Sequence, residues 1–376
     1  MSVLANWLTA HAPAWLDPAN AGSVTPAQRR ALLAISRCRT AELGGHIYRC
    51  NDCTETDFAY HSCHHRTCPR CGGSRTAEWT QRQTDRLLPV PYFMVTFTVP
   101  EQLRPLFAIR PALLHDLLFA QAAAALQAVA DRPRLLGAVL GMTAILHTWG
   151  RQLQSHPHLH FIIPGGGLSP DGRHWVASRQ PDWLLPMKAV AAAFRRGFDE
   201  ALRAEAPELY TQVADAVWRS PWWVHSQHAG SGEAVVRYLA RYVFRTAISD
   251  HRVLSADADS VFFSYIDSKT HRPGTCQLSA DEFMRRYLQH VLPSGRHRVR
   301  YFGWMHPGAR ARRCVVETLL SAVIVVRTPV VKAPPWHLRC THCGAFALVS
   351  VGRIKRTSPI ALTVRTTGPP VVVRCT

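Results

Sequence analysis

His156-Pro-His-Leu-His-Phe-Ile-Ile-Pro-Gly-Gly-Gly167 reads as an extended strand closed by a glycine turn. Side chains alternate between the faces of a strand, so His158 and His160 point the same way. On an open face they would meet solvent. On a buried one, two adjacent imidazoles need a metal or a polar network to offset their desolvation. The glycines after the strand let a backbone or a ligand approach closely. His156 belongs to the same face, with Pro157 marking the strand entrance.

The segments around this stretch predict its neighbours. Met142–Thr148 reads as the preceding strand, and His147 stands near its end. If the two strands form an antiparallel hairpin, His147 reaches the face of His158 and His160 as a candidate third ligand. Tyr92–Val99, rich in β-branched and aromatic residues and stopped by Pro100, is the clearest strand in the chain. Val261–Tyr265 and Thr275–Leu278 read as a hairpin turning near Pro273-Gly274. Helices are predicted over Ala27–Ile35 (Thr25 as N-cap, Pro26 at its first position), about 75–87, 111–130, 186–206 and 233–248. Ser279-Ala-Asp-Glu282 has the form of a capping box for a helix reaching about Val291. Helices and strands intermix in this order, which gives an α+β class.

Arg237-Tyr-Leu-Ala-Arg-Tyr242 falls in one of these helices. Tyr238 and Tyr242 are four apart and share a helix face, while Arg237, Arg241 and Arg245 repeat every four on an adjacent stripe. Tyrosines at this spacing are ordinarily core residues. Beside a pair of metal-binding histidines they acquire a second reading, because a phenol with a pKa near 10 attacks a phosphate when a metal polarises it and cations surround it. Imidazole suits several transition metals, and phosphoryl-transfer sites most often use Mg2+ or Mn2+.

Cys50-x-x-Cys53 is followed 14 residues later by Cys68-x-x-Cys71. Four thiolates in two such knuckles fit tetrahedral Zn2+, so Cys50, Cys53, Cys68 and Cys71 are expected to form one structural site. Cys63, His61, His64 and His65 lie between the knuckles and stay outside the set. Arg39, Arg49, Arg66, Arg70 and Arg75 surround it, as in a module that grips DNA. Cys340-x-x-Cys343 is a knuckle without an obvious partner, and Cys314 and Cys375 are too separated to complete it.

The composition agrees with a nucleic-acid partner. The formal net charge is +19, with 44 Lys and Arg against 25 Asp and Glu. No basic amphipathic helix with a lipid face is apparent, which favours DNA over a membrane. The start of the chain lacks the basic region of a signal peptide. Val315–Val331 is interrupted by Glu317, Thr318, Arg327 and Thr328, too polar to span a bilayer. The eleven cysteines are therefore expected as cytoplasmic thiols or metal ligands rather than disulfides.

From about Leu43 to Phe346 the chain resembles the HUH-type two-tyrosine transposases of the insertion sequence ninety-one family. The resemblance is carried by Gly45-His-Ile-Tyr-Arg-Cys50, Cys68-Pro-Arg-Cys71, Leu88-Pro-Val-Pro-Tyr-Phe93, Phe97-Thr98 and Leu146-His-Thr-Trp-Gly150, then by His156-Pro-His-Leu-His160 with Gly165-Gly-Gly-Leu168, Arg237-Tyr-Leu-Ala-Arg-Tyr242 and Arg298-Val-Arg-Tyr-Phe-Gly303. It implies a small zinc-binding domain ahead of an HUH endonuclease domain, whose central antiparallel sheet is flanked by helices. It implies that His158 and His160 bind the catalytic metal and that Tyr238 and Tyr242 are the nucleophiles. The implied reaction is rolling-circle-like transposition of single-stranded DNA through a 5′-phosphotyrosine. The chain departs from the family pattern at Thr67 and Met94, where histidines are frequent, and at Val243-Phe244, in place of Thr-His.

On this reading residues 1–88 are a helical and zinc-binding, DNA-binding domain, 89–310 the catalytic domain, and 311–376 an accessory segment with a tail that lacks pattern after Thr357. The protein is expected in the bacterial cytoplasm, associated with the nucleoid. Two alternatives stand beside it: a replication initiator or relaxase with the same His-x-His and tyrosine chemistry, and a non-catalytic zinc-ribbon DNA-binding protein.

Overall fold

The computed structural model describes residues 2–20, 22–244, 247–267, 270–320 and 339–356. The N-terminal part contains α1 (Val3–Leu16), α2 (Pro26–Arg37), β1 (Gly45–Cys50), β2 (Thr56–Tyr60) and α3 (Gly72–Thr84). The middle contains β3 (Tyr92–Thr98), α4 (Leu106–Ile109), α5 (Pro111–Ala130), β4 (Gly141–Trp149), β5 (Ser155–Pro164), β6 (Gly166–Leu168), β7 (Trp175–Ala177), α6 (Met187–Glu205), α7 (Pro207–Tyr210) and α8 (Asp215–Arg219). After these come β8 (Val224–His228), α9 (Glu233–Val243), β9 (Val253–Ala256), β10 (Ser260–Ile266), β11 (Pro273–Ser279), α10 (Ala280–Leu288), β12 (Val299–Gly303), α11 (Arg310–Leu319) and β13 (Leu348–Ile354). The class is α+β with antiparallel sheets.

The organising element is a five-stranded antiparallel sheet in the order β12-β4-β5-β3-β8. Its two faces carry different chemistry. Phe93, Val95, Phe97, Leu146, Leu159, Phe161 and Ile163 belong to the largest apolar cluster, with Leu114, Leu118 and Leu126 of α5 and Phe194 and Phe198 of α6. α5 is long and apolar enough to cross a bilayer by composition alone, but its apolar residues are spent on this core. On the other face Ile145 and Ile162 meet Val236, Leu239, Ala240 and Val243 of α9, with Trp79 of α3 behind them.

Several local expectations changed. α1 was not read from the sequence; its first turn is capped by Ser2, whose hydroxyl accepts from the Ala5 N–H at 3.0 Å, and its buried Leu4, Trp7 and Leu8 pack into a cluster with α2 and α10. The helix predicted over 233–248 stops at Val243. There the Arg298 guanidinium donates to the Tyr242 carbonyl at 3.3 Å, taking one of the acceptors that a helix end leaves open. Pro273-Gly274 lies within β11 rather than in the turn, which falls between Ile266 and Pro273. Ser279 does cap α10, but the Glu282 carboxylate turns to Arg285 and Arg286 instead of back to the cap. Most of Val315–Val331, and the tail from Thr357, lie outside the described residues.

Candidate metal and nucleophile site

β4 and β5 pair antiparallel, with His147 directly opposite His158 and Ile145 opposite His160. One position of register thus brings three imidazoles to one face at the middle of the sheet. Their ring centroids are 5.0 Å apart for His147–His158, 4.6 Å for His147–His160 and 5.0 Å for His158–His160. One ring nitrogen from each lies within 4.8 Å of the others, as a metal site requires.

The other ring nitrogens of His158 and His160 are occupied. His158 Nδ1 is 2.7 Å from the His156 carbonyl oxygen. His160 Nδ1 is 2.9 Å from Thr96 Oγ1 across the β3–β5 pair. Such contacts fix ring orientation and leave Nε2 of both histidines to face inward. His147 Nε2 is buried without a hydrogen-bond partner, an unusual state for a polar atom unless something is bound there. Burial first, then the neighbouring imidazoles, hold His147 and His158 well below the usual histidine range. Burial lowers His160 to about 4. All three are neutral at physiological pH, the form that binds a cation. Three neutral nitrogens leave the full charge of a bound divalent cation available to a phosphate.

α9 sets the tyrosines beside this cluster. Its buried stripe packs on the sheet, and the neighbouring face turns Tyr242 toward His147, with ring centroids 4.6 Å apart. Tyr242 also lies 6.3 Å from the Trp149 ring. Tyr238 stands one turn back, 5.3 Å from Tyr242 and edge-on to it. At 40% exposure it is open to solvent on one side, yet burial of its hydroxyl end and the nearby Tyr242 push its pKa up to about 12. The helix is capped at its N-terminus by Gly232, whose φ of +82° and close approach to the Tyr92 ring, 2.7 Å from where a Cβ would sit, leave no room for a side chain.

The three arginines of the stripe separate. The Arg241 guanidinium lies over the Tyr238 ring at 5.5 Å. Arg237 is exposed and ion-paired with Glu233, and Arg245 lies outside the described residues. Sequence reasoning missed Thr96, which orients His160, and Arg298, which is buried, lies 5.2 Å over the Trp149 ring and reaches the Tyr242 carbonyl. Burial brings Arg298 down to about 10, so it stays a cation at the base of the tyrosine helix. Thr96 was legible only as a β-branched strand residue, and nothing in the sequence links it to His160.

The cysteine set needs correction. Cys50, Cys53, Cys68 and Cys71 do not meet in one cluster. Cys68 and Cys71 lie with Cys38 and Cys63, with Cys71 Sγ 3.3 Å from Cys38 Sγ and 3.5 Å from Cys63 Sγ. Cys50 and Cys53 lie with Cys340 and Cys343. The reason is the β1–β2 hairpin, in which Gly45 pairs with Tyr60 at one end and Arg49 with Thr56 at the other. Cys50 and Cys53 sit at its tip, while Cys63 follows its base, roughly 15 Å away at about 3.3 Å per residue. The base-side cluster is wedged against α10 and the segment after it, where Arg66 reaches the Leu292 and Pro293 carbonyls at 3.2 and 3.1 Å and the Tyr287 hydroxyl donates to the Thr67 carbonyl at 2.6 Å. Thiolates in these clusters fit structural zinc.

Two family models match the chain. A family model described as "Putative transposase" matches residues 141–313, the span that holds the histidines and tyrosines. One described as "Transposase zinc-binding domain" matches residues 8–99. The chain is 38% identical over 301 residues to "Putative transposase y4qJ" of Sinorhizobium fredii, covering 75% of each. It is 28% identical over 327 residues to "Transposase for insertion sequence element IS801" of Pseudomonas savastanoi pv. phaseolicola, covering 80% of this chain and 76% of that protein. No solved structure matches.

Proposed function

The chain belongs to the IS91 family of transposases, and from that premise we propose that it nicks and rejoins single-stranded DNA at element ends through a 5′-phosphotyrosine. The observation that carries the reading is Tyr242, 4.6 Å from His147, beside three neutral imidazoles whose free nitrogens converge.

His147, His158 and His160 would hold Mg2+ or Mn2+, which when bound supplies charge to a scissile phosphate and withdraws electrons from phosphorus. The chain does the rest. The β4–β5 register aims the three nitrogens, and Thr96 and the His156 carbonyl keep the rings from turning. Tyr242 Oη bonds phosphorus as its phenol proton passes to solvent, the bond from phosphorus to the 3′-oxygen breaks, and that oxygen takes up a proton from solvent. The free 3′-hydroxyl and the phosphotyrosine conserve the bond energy, so rejoining needs no nucleotide cofactor. Tyr238, one turn away, receives a second strand while the first is attached, which suits rolling-circle-like movement. Arg241 and Arg298 supply cationic surroundings for the phosphates.

In this scheme residues 1–88 grip DNA, 89–310 cut it and 311–376 are accessory, and the reaction takes place in the bacterial cytoplasm on nucleoid DNA. The test is to incubate the full chain with labelled single-stranded DNA carrying an element end, with and without Mg2+ or Mn2+, and to look for a covalent adduct on a denaturing gel. A metal-dependent adduct that disappears in Tyr238→Phe/Tyr242→Phe is the expected result. No adduct across such substrates would leave a DNA-binding protein without nuclease activity.

A further inference from the structure

We propose that Cys50, Cys53, Cys340 and Cys343 form a second zinc site, separate from that of Cys38, Cys63, Cys68 and Cys71, whose metal clasps the C-terminal strand onto the N-terminal sheet. Two of its ligands lie outside the residues 8–99 matched as a zinc-binding domain.

The sulfurs of the two knuckles interleave. Cys50 Sγ is 3.6 Å from Cys343 Sγ, and Cys53 Sγ is 3.5 Å from Cys340 Sγ. The knuckles are also built alike. The Cys50 N–H donates to the Glu55 carbonyl at 2.9 Å and the Cys340 N–H to the Ala345 carbonyl at 2.8 Å. The Thr54 N–H returns to the Cys50 carbonyl at 3.0 Å, and the Gly344 N–H returns to the Cys340 carbonyl at 2.9 Å. Both residues after the second cysteine are left-handed, with φ of +62° at Thr54 and +77° at Gly344. A β-branched residue adopts that conformation only where its surroundings impose it. In both turns backbone N–H groups gather around the sulfurs, an arrangement suited to thiolates. Cys68-x-x-Cys71 is different, because its chain passes directly into α3.

The sheet that carries these knuckles needs such a clasp. β13 pairs with β1 from Gly45↔Ile354 to Cys50↔Leu348, giving the order β13-β1-β2. None of the four apolar clusters includes a described residue of these strands. Val349 and Val351 of β13 are exposed. Thr341 adds a polar tie, its hydroxyl and N–H donating to the Asp57 carboxylate at 2.7 and 3.1 Å. A three-stranded sheet without a core is held by little else, and small domains of this kind ordinarily rely on a metal. Four soft thiolates in two tight turns select Zn2+.

The experiment measures zinc per full-length chain by elemental analysis and maps free thiols in the folded, zinc-loaded protein by alkylation and peptide mass spectrometry. Two zinc ions per chain are expected, one for each cluster, falling to one in Cys340→Ser/Cys343→Ser. Cys343 and Cys314 are both exposed. With metal bound, Cys314 should be alkylated at once and Cys343 protected until a chelator releases Cys50, Cys53, Cys340 and Cys343 together. Amide exchange along Gly45–Cys50 should quicken in the double variant while the Cys38 cluster stays protected. A single zinc in the wild-type protein, unchanged zinc in the variant, or Cys343 reacting as fast as Cys314 would each overturn the proposal. The thiol map needs no variant, so misfolding of the double serine protein does not blunt the test.

Discussion

His147, His158 and His160 stand on two central strands of a five-stranded sheet, whereas Tyr238 and Tyr242 stand on a helix laid across it. The histidines are buried or half-buried, and two have their outer nitrogens fixed. The tyrosine helix is three turns long, is anchored by four buried residues, and ends one residue beyond Tyr242. One group is positioned by register, which is all or none, and the other by packing, which is graded. Under the proposed mechanism, the part that would hold the metal is thus set more firmly than the part that would attack, a useful asymmetry for a nucleophile that would have to bond, carry and release a strand.

The largest effect that would break this contrast comes from the histidines. His158→Ala/His160→Ala should lower metal-dependent adduct formation by roughly 10³-fold or more, since it removes the metal's charge from the transition state. Single-stranded DNA affinity, measured by anisotropy, should change little. Adduct formation at the wild-type rate would remove the histidines from the chemistry. Next, Tyr242→Phe should slow the first nick roughly 10²–10³-fold, while Tyr238→Phe should leave that step nearly intact and impair capture of a second strand. Equal losses in single-turnover assays would mean that the helix presents both phenols alike.

His115 sharpens the comparison as a buried histidine outside the candidate metal groups found among the described residues. Its Nδ1 also lacks a partner, but it packs in α5, far in sequence from the cluster, beside Phe107. Burial lowers its pKa to about 4. The unfolded chain takes up this proton near pH 6.5 and the folded chain only near 4, so stability falls as pH drops through that window. The loss amounts to about 3 kcal/mol. Urea unfolding at pH 7 and pH 4.5 should show a smaller acid loss in His115→Leu than in the wild-type protein, with adduct formation unaffected at pH 7. The smallest expected effect is that of Thr96→Val, which frees the His160 ring. It should weaken Mn2+ affinity about 10–100-fold, and nicking should recover at high metal concentration. Loss that metal does not rescue would mean that Thr96 supports folding rather than the ligand.

Much of this site could be read in the sequence because its signals are local. Alternation put His158 and His160 on one face, helical spacing paired Tyr238 with Tyr242, and a single assumption about a hairpin brought in His147. The helix end at Val243 was not legible, because the group that meets it, Arg298, comes from a loop before another strand. The cysteines failed for a related reason. Two knuckles of equal spacing looked like partners, but spacing does not show that a hairpin stands between them; Cys68 and Cys71 meet Cys38 and Cys63, and only the partners of Cys50 and Cys53 lie near the other end of the chain. α1 was missed because Ala-rich sequence with Pro13 inside carries only a weak periodic signal.

The distance between the two halves of the β13-β1-β2 sheet also imposes an order on synthesis. Cys50 leaves the ribosome 293 residues before Cys343, roughly 15–60 s earlier at about 5–20 residues per second. Through that interval β1 has one open edge and its knuckle half its ligands, and before it ends the β4–β5 histidines and the α9 tyrosines are made. A nascent or truncated transposase would therefore carry these histidines and tyrosines before its first sheet is closed, with an unpaired edge that invites other chains.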